Sequence, residues 1–224
     1  MSGYLILVGG SIAFVGSHFL MSHSWRAAMV RRFGDNGFLG VYSVVSALTL
    51  AIMIWGFISA PNDAPLWSFG NWARGLVALV GLIAMILFAG STSGNPAMPS
   101  PEAERFAARK ASGVFLITRH PMMWSFALLA LVHIFILPRP DMLIFAGSFA
   151  ILAILGARAQ DRKKAGQLGA LWDGWSRQTS FVPRLQALPR VGPGPVVIGV
   201  ILWLITSWAH GYMGVAPVGL FHWF

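Results

Sequence analysis

The sequence predicts an all-α fold, a polytopic membrane protein of about six transmembrane helices with the N-terminus and C-terminus outside. Three observations carry that expectation. Of 224 residues, 56% are hydrophobic and 10% charged, against roughly 25% charged in an ordinary soluble domain. Apolar windows of about 20 residues, the length that crosses a bilayer core, recur six times. The basic residues gather in alternate loops. Such a composition excludes a soluble enzyme, a disordered chain and a fibrous repeat. With no cysteine, the chain can hold no disulfide, thiolate nucleophile, zinc knuckle or iron–sulfur cluster. Any bound metal must rely on His, Met, oxygen ligands or a porphyrin.

The spans follow in order, as one integral membrane domain over residues 1–224. Span one, residues 4–22, has no basic residue before it and no small-residue cleavage site ahead of His18 and His23, so it reads as a retained helix. Its Gly9, Ala13 and Ser17 form a small-residue stripe suited to close helix packing. Spans two and three are residues 38–60 and 72–91. Ser100-Pro101-Glu102 then supplies an N-cap, a first-turn proline and an acidic first turn, opening a short amphipathic helix through Ala111. Span four is residues 113–137 and span five residues 141–157. The stretch 158–176 mixes Arg and Lys with Leu168, Leu171, Trp172 and Trp175, which predicts a continuation of span five that then lies along the interface. Gly192-Pro193-Gly194-Pro195 breaks the chain before span six, residues 195–216. Trp55, Trp67, Trp72, Trp208 and Trp223 fall at one set of span ends and Trp25, Trp172 and Trp175 at the other, as interfacial belts do.

Charge sets the orientation. Arg26, Arg31 and Arg32 follow span one. Arg105, Arg109, Lys110 and Arg119 follow span three, and Arg158, Arg162, Lys163, Lys164, Arg177, Arg184 and Arg190 follow span five. The opposite loops hold only Arg74 and Arg139 of the sixteen basic residues. The basic side is therefore expected in the cytoplasm, with cytoplasmic segments at about 23–37, 92–112 and 158–194. The net charge of +9 reads as contact with anionic lipid headgroups rather than nucleic acid.

Inside the spans the chemistry is sparse. Asp141, at a span end, is the only carboxylate, which argues against a proton-coupled carrier. No G-x-S-x-G, P-loop or H-E-x-x-H pattern occurs. Histidine is thus the informative residue: His18, His120, His133 and His210 fall within spans, with His23 at a span foot and His222 near the end of the sequence. At 1.5 Å per residue, His18 lies about 10 Å and His120 about 9 Å from the cytoplasmic side, His210 about 22 Å and His133 about 28 Å. Two axial ligands of one haem must share a depth, so this arithmetic pairs His18 with His120 and separates His18 from His133. Because His120 precedes Pro121, the helix is expected to restart at Pro121 and leave Arg119 and His120 on irregular backbone. At that depth such backbone survives only in a protein interior or a wet cavity, which makes Thr118-Arg119-His120-Pro121 the leading site candidate. The plainer alternative is a helix that simply starts late, with Arg119 reaching the headgroups and His120 bonded to a carbonyl. On span one, His18, Ser22 and Arg26 form a polar ridge at i, i+4 and i+8.

Several segments share a pattern with a known family. Gly16-Ser17-His18-Phe19 with Ser22-His23 and Arg26, then Gly34, Gly37 and Tyr42-Ser43, then the stretch from Ile117 through Arg119-His120-Pro121 to Trp124, Val132-His133, and Thr179-Ser180-Phe181-Val182-Pro183 together resemble the NnrU family of bacterial membrane proteins. That resemblance implies an inner-membrane protein associated with denitrification and nitric oxide metabolism. It also implies kinship with the 15-cis-zeta-carotene isomerases, which use haem b to isomerise a carotenoid double bond. By that likeness His18 and His133 match the histidines implicated in haem binding, the pair that the depth arithmetic separates. Three metal-ligand candidates therefore stand: His18, His120 and His133. Arg26 and Arg119 are candidate partners for the propionates, with Ser22 and Trp124 beside them. Where the isomerases place a cysteine near the second histidine, this chain has Ala130, so a thiolate ligand is excluded.

A more distant likeness is to the isoprenylcysteine and phospholipid methyltransferases, whose Arg-His-Pro segment and following cytoplasmic helix bind S-adenosylmethionine. Here Arg158, Asp161 and Arg162 stand where those enzymes carry acidic residues. A third reading is a non-catalytic factor in membrane assembly. Membrane lipids and a lipophilic substrate are the expected partners, with a homo-oligomer left open.

Overall fold

A computed structural model describes residues 2–98, 100–212 and 221. Among these the chain is helical and forms no strand: α1 Ser2–Ser22, α2 Arg26–Ser59, α3 Asn71–Ser91, α4 Ala103–Ala107, α5 Pro121–Ile136, α6 Pro140–Leu168, α7 Ala170–Gln178 and α8 Pro193–Tyr212, with 3-10 turns at Gly113–Leu116 and Leu185–Arg190. Five of the helices (α1, α2, α3, α6 and α8) are long and apolar enough to cross a membrane. The sixth expected span is shorter than its apolar window, because α5 starts at Pro121 rather than at Gly113. His222 and Trp223 lie outside the described residues, as does the end of the expected span six.

The chain forms two compact units, one of Met1–Ser68 with His133–Leu152 and one of Phe69–Val132 with Ala153–Phe224. In the first, α1 and α2 pack antiparallel through glycines. A methyl group at Gly10 would stand 2.8 Å from the Met53 Cα, and Gly3 and Gly56 face the backbones of Ser59 and Leu7 as closely. With no hydrophobic drive between helices in lipid, such close backbone approach supplies the dispersion that holds them. The expected Gly9, Ala13 and Ser17 stripe is not this contact: a Cβ on Gly9 meets nothing within 4 Å, and Ala13 is exposed. The buried face is instead the one carrying Gly3, Leu7, Gly10 and Phe14. Leu7, Phe14 and Met53 form its core, with Phe57, Phe145 and Phe149 stacked against them.

At one end of this unit the polar groups are paired. Tyr4 donates to the Asp63 carboxylate at 2.5 Å. Arg139 forms an ion pair with Asp141 at 2.6 Å and also bonds Asn62. The buried Asp141 carboxylate accepts the Met142 backbone N–H in the first turn of α6, where the helix dipole favours an anion. Trp67 donates to the Phe135 carbonyl and the Leu66 N–H to the Pro138 carbonyl, which pins the end of α5 to the link that follows α2.

In the second unit α3 and α8 run antiparallel, with Gly199 set directly against Ile86 and Gly81 beneath the Trp203 indole. Around their foot, Leu87, Val114, Phe115, Ile117, Trp172, Trp175 and Val191 make a buried core. Two expectations change here. The Ser100 hydroxyl accepts the Glu102 N–H as a cap should, yet α4 ends at Ala107 rather than Ala111. And α7, set off from α6 by Gly169 at φ 51°, turns its tryptophans into the protein. Trp172 and Trp175 are each 2% exposed and fill the core beside Phe115, so neither serves as a belt residue. The amphipathic face has found protein instead of lipid.

Candidate functional site

The most heavily bonded polar site in the second unit lies at the start of α5. Pro121 has no N–H to give and occupies the first helical position, while His120, the residue before it, stays out of the helix. The backbone groups this frees are met by the segment 180–184. The Arg119 N–H donates to the Ser180 carbonyl at 2.8 Å and the Arg184 N–H to the Ile117 carbonyl at 2.9 Å. The Phe181 carbonyl accepts both the Thr118 hydroxyl at 2.8 Å and the Trp124 indole N–H at 2.7 Å. Two motifs about sixty residues apart in sequence thus fold onto each other.

Asp161, on α6, closes the site. Its carboxylate receives Arg119 side-on, through Nε at 2.9 Å and a second guanidinium nitrogen at 2.5 Å, and receives His120 Nε2 at 2.5 Å. The Arg119 guanidinium also lies over the Phe181 ring, 5.5 Å from its centroid. The His120 side chain is fully buried, and Arg119 and Asp161 are partly buried. Because the apolar part of α6 ends at Ala157 and charges begin at Arg158, Asp161 stands outside the spanning stretch. Burial pushes the Asp161 carboxyl up, but hydrogen bonds from His120 and Arg119 outweigh it and bring it from 3.8 down to about 2. The carboxylate is therefore ionised, and His120 must present an N–H at Nε2. Its Nδ1 is buried without a hydrogen-bond partner.

His120 accordingly stands just before α5, its Nε2 bonded to a carboxylate rather than to a carbonyl. The signal for Asp161 was present in the sequence as the one acid within the basic run 158–164, but only the fold shows which residues it meets.

The first unit holds His18, four residues from the end of α1. Its Nδ1 donates to the Phe14 carbonyl at 2.7 Å, so the lone pair resides on Nε2, which is 3.4 Å from the Ser46 hydroxyl. The ring meets Phe14 and Tyr42 edge-on at 4.5 and 5.3 Å. The polar ridge expected below it is broken: α1 stops at Ser22, and Arg26 begins α2, pairing with Asp35 at 3.7 Å and lying over Phe38. His133, in the same unit, is half-buried two residues from Phe135, at the end pinned to the link after Ser59. Gly3 abuts Ser59 at that end, and fifteen residues of α1 separate it from His18, about 22 Å of helix. His120 belongs to the other unit. His210, in α8, bonds the Thr206 carbonyl of its own helix.

Among the described residues no group of three or more His, Asp or Glu side chains is placed to hold a metal ion directly. A porphyrin asks less of the protein, since its nitrogens supply four ligands and one or two axial side chains complete the iron. His18 fits one such position in tautomer and in its aromatic surroundings.

No curated protein and no solved structure matches the chain. A family model does: the one described as NnrU protein covers residues 6–217, nearly the whole length including the Thr118–Pro121 segment, His18 and the 179–183 motif, and the chain belongs to the NnrU family.

Proposed function

We propose that this NnrU protein carries haem b in the bacterial inner membrane, with His18 as an axial ligand. The haem serves either redox-linked isomerisation of a lipophilic polyene or a role in nitric oxide and denitrification metabolism. The observation that carries this reading is the His18 tautomer. A helix carbonyl accepts the Nδ1–H hydrogen bond, leaving the lone pair on Nε2 of a half-buried ring packed between aromatic side chains, the arrangement that outer hydrogen bonds impose on iron-binding histidines. Such bonds to a carbonyl four residues back also occur at His23 and His210, so the aromatic surroundings, not the bond alone, favour His18. Bound haem would supply a redox-active iron. Arg26, whose pairing with Asp35 is half-exposed, has a guanidinium available for a propionate, whereas the Arg119 side chain is already engaged by Asp161.

Protein purified in detergent after expression with added haem precursor is expected to show a Soret band. His18→Ala loses it, while His120→Ala and His133→Ala keep it; wild-type protein with no Soret band overturns the proposal. A second reading, S-adenosylmethionine binding, is favoured by one observation only, that Arg119-His120-Pro121 meets the charged end of α6 at Asp161. A melting temperature unmoved by saturating S-adenosylmethionine counts against it, because a ligand of the native state must stabilise that state.

A further inference from the structure

The long helix α2 is two helices. Gly34 interrupts it with φ 70° and ψ 174°, separating residues 26–33 from 35–59. The 25 residues of the second part extend about 37 Å at 1.5 Å per residue, more than the roughly 30 Å hydrocarbon core needs. Residues 26–33 are left over, between the end of one apolar helix and the start of another, so they belong at headgroup level. Their pattern suits that place. Trp25, Met29 and Phe33 recur at i, i+4 and i+8 and share one stripe. Trp25 and Phe33 are 53% and 48% exposed, so no protein face in this unit covers them. Arg26 and Arg32 flank the stripe and Arg31 lies behind it. Arg32 stands over the Phe33 ring, and the one acid nearby, Asp35, is paired with Arg26.

We propose that residues 25–33 form an interfacial helix that binds the anionic phospholipid headgroups of the bilayer its neighbouring spans cross. The aromatic stripe enters the acyl boundary and the three arginines meet lipid phosphates. Charge complementarity selects this occupant: three arginines against one carboxylate suit an anionic surface and oppose a second copy of the same basic segment. The inference stands whether or not haem is bound.

The chain has no cysteine, so single labels can be placed in the full-length protein. Phe33→Cys and Arg31→Cys, each carrying an environment-sensitive fluorophore, are reconstituted into phosphatidylcholine vesicles with and without phosphatidylglycerol and exposed to a water-soluble quencher. The label at position 33 is expected to be protected and that at 31 quenched. Phosphatidylglycerol should increase protection at 33, and high salt or combined Arg26→Gln, Arg31→Gln and Arg32→Gln should remove the increase. Each arginine is expected to contribute roughly five-fold to surface occupancy. Equal quenching at both positions, or protection at 33 indifferent to phosphatidylglycerol, overturns the proposal. So does protection that rises with protein concentration in detergent, which would assign the stripe to a second copy.

Discussion

At the scale of single residues, Asp161 decides the most. Its carboxylate accepts a side-on guanidinium and an imidazole N–H, so Asp161→Asn leaves a partly buried arginine and a buried histidine without their anion. The expected loss is about 2–3 kcal/mol, read as a lower melting temperature in detergent. The same carboxyl makes stability depend on pH. Its folded value, about 2, lies below the 3.8 of an ordinary aspartate. The stabilisation is therefore fully present above about pH 4 and disappears as pH falls toward 2, where the folded state must also take the proton. Melting curves across that window should fall for wild type and stay flatter for Asp161→Asn. His120 was legible in the sequence as a residue forced off the helix by Pro121, but its carboxylate partner lies 41 residues away, and no local pattern announces such a pairing. Three candidates, His18, His120 and His133, stood in the sequence as histidines in apolar spans, told apart by expected depth and by the proline after His120. In the fold His18 and His120 differ in what each ring nitrogen has for a partner.

Among the elements, helix contact rests on particular glycines. Gly10→Val places atoms inside the Met53 backbone and is expected to cost about 1–3 kcal/mol by forcing α1 and α2 apart. Gly9→Val, one residue away and facing open space, should change the melting temperature little; equal damage from both would contradict the assigned contact face. The glycine-rich character of span one was visible in the sequence, whereas which glycines meet the partner was not. Two small-residue stripes about 100° apart serve equally well until Leu7, Phe14 and Met53 bury one of them. The amphipathic α7 teaches the same point. Its alternation of tryptophan with charge is that of an interfacial helix, and only the cavity left by Val114, Phe115 and Ile117 turns its tryptophans inward. By contrast, residues 25–33 keep their aromatic stripe exposed, so an identical sequence signal resolves in opposite ways.

For the whole molecule, the short α5 tests the topology. Sixteen residues rise about 24 Å, less than the roughly 30 Å of a typical core, yet α5 begins beside the charged end of α6 and is joined to the other end of α6 by the three residues 137–139. The six-span reading requires α5 to cross despite its length. Tags at the two termini are therefore expected to be accessible from the same, outer face of intact spheroplasts. Accessibility on opposite faces would remove α5 from the count of spans. The sequence by itself determined the all-helical membrane class and the approximate spans. Hydropathy and loop charge are sums over local residues and require no knowledge of neighbours. Tertiary structure decided which glycines touch, where the tryptophans go, and that Arg119 and His120 share one carboxylate. Those outcomes depend on which faces meet across tens of residues, and a polar group's partner in a dry interior is set by proximity in space, which hydropathy does not encode.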